Sequence, residues 1–169
     1  KSIAVDAYDR AASFYFPRRV IPVLREKLGS GLCSRNTKFD RLYLVCDMWS
    51  TADGDLHAYH FYPAVMNSHA RLTYTEVAAI LSNTRGPEAA QRADLVPHLL
   101  DLHGVYSALL KAREARGAVD FDTVETKIVS DEAGRIEKIV PSQRTLAHRL
   151  IEECMLAANV SAGDFILHN

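Results

Sequence analysis

Between residues 144 and 160 the chain reads Arg-Thr-Leu-Ala-His-Arg-Leu-Ile-Glu-Glu-Cys-Met-Leu-Ala-Ala-Asn-Val, a pattern with the period of an α-helix. Ala147, Leu150, Ile151, Cys154 and Ala158 form one apolar stripe. Leu146, Leu156 and Val160 point elsewhere and are apolar too, so the helix is expected to be buried on most sides. His148, Glu152 and Asn159 share a narrow polar line. A carboxylate in such surroundings needs a partner or a ligand. The simplest partners are i,i+4 pairs, His148 with Glu152 and Arg149 with Glu153, each worth about 0.2–0.5 kcal/mol.

Upstream, residues 3–13 read as a short helix, stopped by the aromatic run ahead of Pro17. Pro22 opens a second short helix over 23–28, which Gly29 and Gly31 end. Over 41–49, Leu42, Leu44 and Cys46 occupy one face of a strand and Tyr43 and Val45 the other. Both faces are apolar, which predicts a central strand. Asp53-Gly54 is a tight hairpin turn leading into a strand over 56–65. Thr73 or Thr75 caps a helix over 76–81, and 82–87 forms a loop. Leu95, Leu99, Leu102, Tyr106 and Leu109 then define a long amphipathic helix over 94–116, with Pro97 tolerated in its first turn and Gly117 at its end. Lys111, Arg113 and Arg116 suit the negative end of its dipole. Strands over 118–129 and 135–139 follow, joined by a turn at 132–134, and a last helix starts near Ser142. No repeat, low-complexity tract or flexible linker interrupts the pattern. The expected fold is one mixed α/β piece: a β-sheet flanked by helices, one of them long and amphipathic, with a buried C-terminal helix.

Composition narrows the picture. A chain of 169 residues suffices for one hydrophobic core. Twenty Lys and Arg against twenty-one Asp and Glu leave a net charge of −1, so charge lends nucleic-acid binding no support. Any basic surface must be local or lie in a longer parent. No apolar run reaches the length of a membrane span, and the opening segment is too short and polar for a secretory leader. The chain opens on Lys and reads as an excerpt from something longer. Cys33, Cys46 and Cys154 are far apart, which suits buried thiols in a reducing compartment better than disulfides or a zinc knuckle. His57 and His60 face opposite sides of a strand, and His98 and His103 diverge on a helix, so scattered histidines are favoured over a metal site.

Four sequence blocks carry more specific information. They are Ser13-Phe14-Tyr15-Phe16-Pro17 through Val20-Ile21-Pro22, Gly31-Leu32-Cys33-Ser34, Ser68-His69-Ala70-Arg71-Leu72-Thr73-Tyr74, and Gln143-Arg144 through Ala147-His148, Ile151-Glu152-Glu153-Cys154-Met155 and Ala158-Asn159. Their wording and order resemble the ribonuclease II / ribonuclease R family, in the central part of its RNB nuclease domain and closest to the bacterial ribonuclease R branch. The resemblance implies that the intact protein is a processive 3′→5′ exoribonuclease hydrolysing single-stranded RNA to nucleoside 5′-monophosphates. It further implies a cytoplasmic, monomeric protein without membrane association.

The same resemblance assigns four residues. Tyr15 and Phe121 correspond to the rings that stack on the base at the RNA 3′ end. A flat ring holds any base, at roughly 1–3 kcal/mol each. An aromatic triplet before a proline is otherwise an ordinary core anchor, and Phe121 alternates with Val119 as a core residue would. Tyr74 and Glu152 correspond to residues near the 3′-end sugars, where a phenol and a carboxylate can hydrogen-bond the 2′-hydroxyl that separates RNA from DNA. For Tyr74 the bland alternative is an aromatic packing at a helix start.

Catalysis in the family uses Mg²⁺ held by clustered aspartates ahead of the Tyr-x-Pro element, ions that activate water and neutralise charge developing on the phosphate. Here Asp6 and Asp9 are lone acids on a helical segment. Residues 1–169 are therefore expected to be a partial RNB domain lacking that cluster and the flanking RNA-binding β-barrels, with no catalytic residue, no metal ligand and no activity alone. The alternative is a non-catalytic RNA-binding relative that keeps the channel without the aspartates. Departures from the family pattern are Ala11 in place of glycine, Arg25 in place of proline and Arg35 in place of leucine.

Overall fold

The computed structural model describes residues 3–16, 19–34, 36–119, 126–131 and 133–168. They fall into two compact units interleaved along the chain: Lys1–Tyr43, Val65–Arg71 and Thr123–Gln143 in one, Leu44–Ala64, Leu72–Asp122 and Arg144–Asn169 in the other.

The first unit opens with helix α1 (Ile3–Arg10), whose C-terminal turn closes with Ala11 at φ 60°, donating its N–H to the Ala7 carbonyl. That left-handed position is where glycine costs least, which gives a physical reason for the glycine expected there. Strands β1 (Phe14–Phe16) and β2 (Arg19–Ile21) pair antiparallel with Tyr15 opposite Val20. The Ser13 hydroxyl accepts from the Val23 N–H at 3.0 Å, and the Arg10 guanidinium donates to the Pro22 carbonyl. The short helix expected over 23–28 is instead a π-helical turn over Lys27–Leu32. Gly29 and Gly31 lie inside it rather than after it, because residues free of a Cβ fit the wider turn as readily as they end a helix. Farther along, β5 (Thr126–Ser130) and β6 (Ile136–Pro141) form a bulged antiparallel hairpin whose turn places Gly134 at φ 84°.

Strands β3 (Asp40–Ser50) and β4 (Leu56–Asn67) make a long hairpin. The expected central strand is not central. Among the described residues β3 pairs with β4 alone, and Leu42 and Leu44 are 87% and 75% exposed. Alternation holds over 41–45, with Arg41, Tyr43 and Val45 half-buried. At the hairpin tip Gly54 takes φ 90° and lies buried against helix α4 (Val96–Ala115), where a Cβ would stand 2.1 Å from the Ala108 carbonyl oxygen. Asp53 and Lys111 form an ion pair at 2.8 Å beside it.

The core of the second unit is helical. Helix α2 (Tyr74–Ser82) buries Ile80 against Ala89 of the short helix α3 (Pro87–Gln91) and Leu99 of α4, with Leu72, Val77, Leu81 and Val96 around them. The α3 turn falls just beyond the expected loop. Gly117, at φ 76°, ends the long helix as expected. Helix α5 (Leu146–His168) packs on both α2 and α4. Its buried line is Ala147, Leu150, Glu153, Ala157 and Ser161, rotated from the predicted stripe so that Ile151 is exposed. The helix is buried on one side only, since Met155, Leu156 and Val160 are exposed. Near its end, the Tyr59 hydroxyl of β4 donates to Asp164 at 2.6 Å.

Candidate nucleic-acid interface

Tyr74 is the first residue of α2, and a complete capping box sets its position. The Thr73 hydroxyl accepts from the Glu76 N–H at 3.2 Å while the Glu76 carboxylate accepts from the Thr73 N–H. Thr73 and not Thr75 is the cap, because only Thr73 has a glutamate three residues on. Glu76 also accepts from Arg92 at 2.9 Å. That bond, aided by the Thr73 N–H, outweighs desolvation and holds the Glu76 carboxyl below its ordinary value.

Helix α5 starts in a similar way with different chemistry. The Thr145 carbonyl accepts from the N–H groups of His148 and Arg149 at 3.1 and 3.2 Å. In return the Thr145 N–H donates to His148 Nδ1 at 3.2 Å, with the Thr145 hydroxyl 2.8 Å from the same nitrogen. His148 thus stands where a capping glutamate usually does. A backbone donor on Nδ1 assigns the ring proton to Nε2.

These two helix starts meet. The Tyr74 and His148 rings stack with centroids 3.9 Å apart and planes within 17°. One turn on, Glu152 lies on the same face of α5 as His148. Its partner is Arg144, in the extended segment before the helix. Arg144 Nε donates to Oε2 at 2.9 Å and to Oε1 at 3.3 Å, and a second guanidinium nitrogen donates to Oε2. The phenol is half-exposed, and the Glu152 side chain is 40% exposed. A phenol, an imidazole and a carboxylate therefore sit together with polar atoms accessible to solvent, a set suited to binding hydroxyl groups.

Tyr74 thus stacks on His148, one turn of α5 before Glu152, and the pairings around these residues differ from those expected. Glu152 pairs with Arg144 rather than with His148. Glu153, expected to pair with Arg149, is the buried carboxylate at 5% exposure, and Arg113 of α4 stands 3.3 Å away. Sequence reading missed Arg144 and His148 as members of the site. The Thr-x-x-His spacing was a legible capping signal. Arg144 reaches Glu152 only because residues 142–145 are not helical.

Tyr15 stands on β1 with 80% of its surface exposed, and Phe14 and Phe16 are exposed as well, so the triplet is no core anchor in this structure. Phe121 lies outside the described residues, as does the segment that would place it. Arg25 is exposed, and Arg35 lies outside the described residues. Cys33 is exposed rather than buried; Cys46 and Cys154 are half-buried, and burial raises both thiol pKa values, followed by the neighbouring carboxylates of Asp47 and Glu153. Among the described residues, no group of three or more His, Cys, Asp or Glu could hold a metal, and no helix is long and apolar enough to cross a membrane.

The RNB domain family model matches residues 1–169, and the chain belongs to that family. It is 50% identical over 161 residues to Ribonuclease R of Escherichia coli (strain K12), covering 95% of this chain and 20% of that protein. With Ribonuclease R of Aquifex aeolicus (strain VF5) the identity is 36% over 165 residues, covering 96% of this chain and 23% of that protein. Among solved structures, Mycoplasma genitalium RNase R in complex with ribose methylated single-stranded RNA superposes with a TM-score of 0.89 at 28% identity, over 100% of this chain and 26% of that one. The chain therefore spans roughly a fifth to a quarter of the length of these relatives.

Proposed function

We propose that this chain forms part of the RNA channel of a 3′→5′ exoribonuclease that releases nucleoside 5′-monophosphates processively from single-stranded RNA. The observation that carries the reading is the exposed Tyr74 stacked on His148 with, one turn further along α5, the partly exposed Glu152 carboxylate held by Arg144. The Tyr74 phenol can donate to or accept from a ribose 2′-hydroxyl and the Glu152 carboxylate can accept from it, and neither has an equivalent partner on a deoxyribose. The kinship with Ribonuclease R of several bacteria supports RNA as the ligand. Tyr15 supplies one face of a 3′-terminal base clamp and Phe121 the other. The family's metal-binding aspartates are expected ahead of the Tyr-x-Pro element, so the metal and the hydrolytic step are assigned to other parts of the intact protein. That protein is proposed to be monomeric and cytoplasmic.

The test compares matched RNA and DNA oligonucleotides with the intact protein. A protein site that loses its partner on the substrate is left with an unpaired polar group, a penalty of roughly 1–3 kcal/mol. Glu152→Ala and Tyr74→Phe or Ala should therefore narrow the gap between RNA and DNA cleavage while leaving substantial RNA cleavage. Tyr15→Ala should loosen the 3′ end and change the length of the final product. Full RNA preference in Glu152→Ala would leave the Arg144–Glu152 pair as structure only. The 169-residue chain alone should release no mononucleotides from labelled RNA with magnesium, and steady release that co-purifies with it would place the catalytic centre here.

A further inference from the structure

We infer that Arg144 and His148 are positioning residues for sugar recognition, Arg144 fixing the carboxylate of Glu152 and His148 fixing the ring of Tyr74. The roles rest on the reading of Tyr74 and Glu152 as sugar contacts, and they come from a part of the geometry that reading does not use.

A half-exposed ion pair like Arg144–Glu152 adds little to stability, so holding the fold together is a poor account of it. What a guanidinium fork does well is set direction. Nε reaches both carboxylate oxygens, Oε2 at 2.9 Å and Oε1 at 3.3 Å, while a terminal nitrogen also donates to Oε2, and contacts on both oxygens fix the plane of the carboxylate as a single contact could not. A carboxylate offers about four acceptor positions. The fork takes those on one edge and leaves the others for a ligand hydroxyl, consistent with a side chain still 40% exposed.

His148 acts on Tyr74 by the same logic. Thr145 holds Nδ1 through its N–H and hydroxyl, which stops the imidazole turning about its Cβ–Cγ bond. The immobilised ring then covers one face of Tyr74 at 3.9 Å. The phenol keeps one open side, and its hydroxyl is held in a narrow arc. Both arrangements fix a polar atom before the ligand arrives, and pre-orientation of this sort is worth most where two contacts must be made at once. His148 and Glu152 are one helical turn apart on α5, so one support and one sugar contact share a single rigid helix.

The experiment measures RNA and DNA cleavage by the intact protein, and cleavage of RNA carrying a single 2′-deoxynucleotide near its 3′ end. The variants are Arg144→Ala, Arg144→Lys, His148→Ala and His148→Phe, alone and combined with Glu152→Ala or Tyr74→Ala. Arg144→Ala and His148→Ala should each lower the RNA-to-DNA ratio by about five-fold or more. Arg144→Lys, which keeps the charge without the fork, and His148→Phe, which keeps the flat face without the anchor, should fall between parent and alanine. A residue acting through another adds nothing once that other is gone. Arg144→Ala should therefore have no further effect in Glu152→Ala, nor His148→Ala in Tyr74→Ala.

A variant that slows RNA and DNA cleavage equally has a structural role, and that result overturns the proposal. The proposal also falls, with the sugar contacts intact, if Glu152→Ala and Tyr74→Ala lower the ratio while Arg144→Ala and His148→Ala do not. If none of the four alanine variants moves the ratio, sugar contacts and supports fall together. Melting curves confirm that each variant is folded, and the Lys and Phe variants carry the test if an alanine variant is not.

Discussion

Removing the Glu153 carboxylate should destabilise the chain far more than its place on a helix surface pattern suggests. The Glu153 and Arg113 side chains are 6% and 17% exposed and 3.3 Å apart. Removing the carboxylate takes a charged partner away from a guanidinium that is itself largely out of water, and breaking a buried pair from one side typically costs about 3–5 kcal/mol. A cavity of about 330 Å³, lined in part by Leu109, Arg113, Glu153 and Ala157, adjoins the pair. Water entering it offsets some of the loss, which points to the lower end of that range. With a urea slope of about 2 kcal/mol per molar, the midpoint of Glu153→Ala should drop by roughly 1.5 M. Arg113→Met should fall similarly. The double variant Arg113→Met/Glu153→Leu removes both charges and keeps volume, so it should lie near the parent or above it. Urea titrations followed by far-UV circular dichroism give the full cycle. Single variants within about 0.5 kcal/mol of the parent, the level of an ordinary surface change, would refute the claim that this pair is desolvated.

Other positions give sharper local tests. The Glu76 carboxyl is held below its ordinary value of 4.5 by Arg92 and the Thr73 N–H, so its contribution is complete above that pH and vanishes as pH falls through the lowered value. Glu76→Gln should consequently lower Tm at pH 7 and match the parent near pH 2; an equal deficit at both would sink the ion-pair account. Ala11→Gly should raise stability by roughly 0.5–1 kcal/mol, because relief of a left-handed alanine exceeds the added freedom of an unfolded glycine, and a lower melting temperature would contradict it. Gly54→Ala should cost about 2–3 kcal/mol or more, since strain at positive φ adds to a clash with the Ala108 carbonyl; an unchanged denaturation midpoint would show that the hairpin tip does not dock on α4.

Features governed by near neighbours in sequence were legible. The Thr73 cap, the Asp53-Gly54 turn and the Gly117 stop each depend on a few adjacent residues, and each stands where its chemistry put it. Features that depend on distant partners were misread. An Ile-Glu-Glu run gives no sign that the second glutamate faces inward, because its partner Arg113 lies about forty residues earlier. The buried line of α5 runs through Glu153, Ala157 and Ser161 rather than Ile151, Cys154 and Ala158. In β3, apolar residues on both faces imply two covered faces, yet Leu42 and Leu44 are exposed. The family blocks pointed to Tyr74 and Glu152. The groups that hold them, Arg144 and His148, lay in the same block and emerged only with the backbone path before α5.

The stacking of Tyr74 on His148 also fixes an order of events during synthesis. The two rings belong to helices separated by roughly seventy residues, and α2 and α4 both pack on α5. At about 5–20 residues per second the ribosome needs roughly 4–15 s to pass from one ring to the other. During that interval α2, and α4 once it has been made, exist without the helix that packs on both, far longer than the microseconds a helix needs to form. The Tyr74–His148 stack can thus form only after residue 148 has been made, and a nascent chain stalled before residue 146 holds a Tyr74 without its stacking partner.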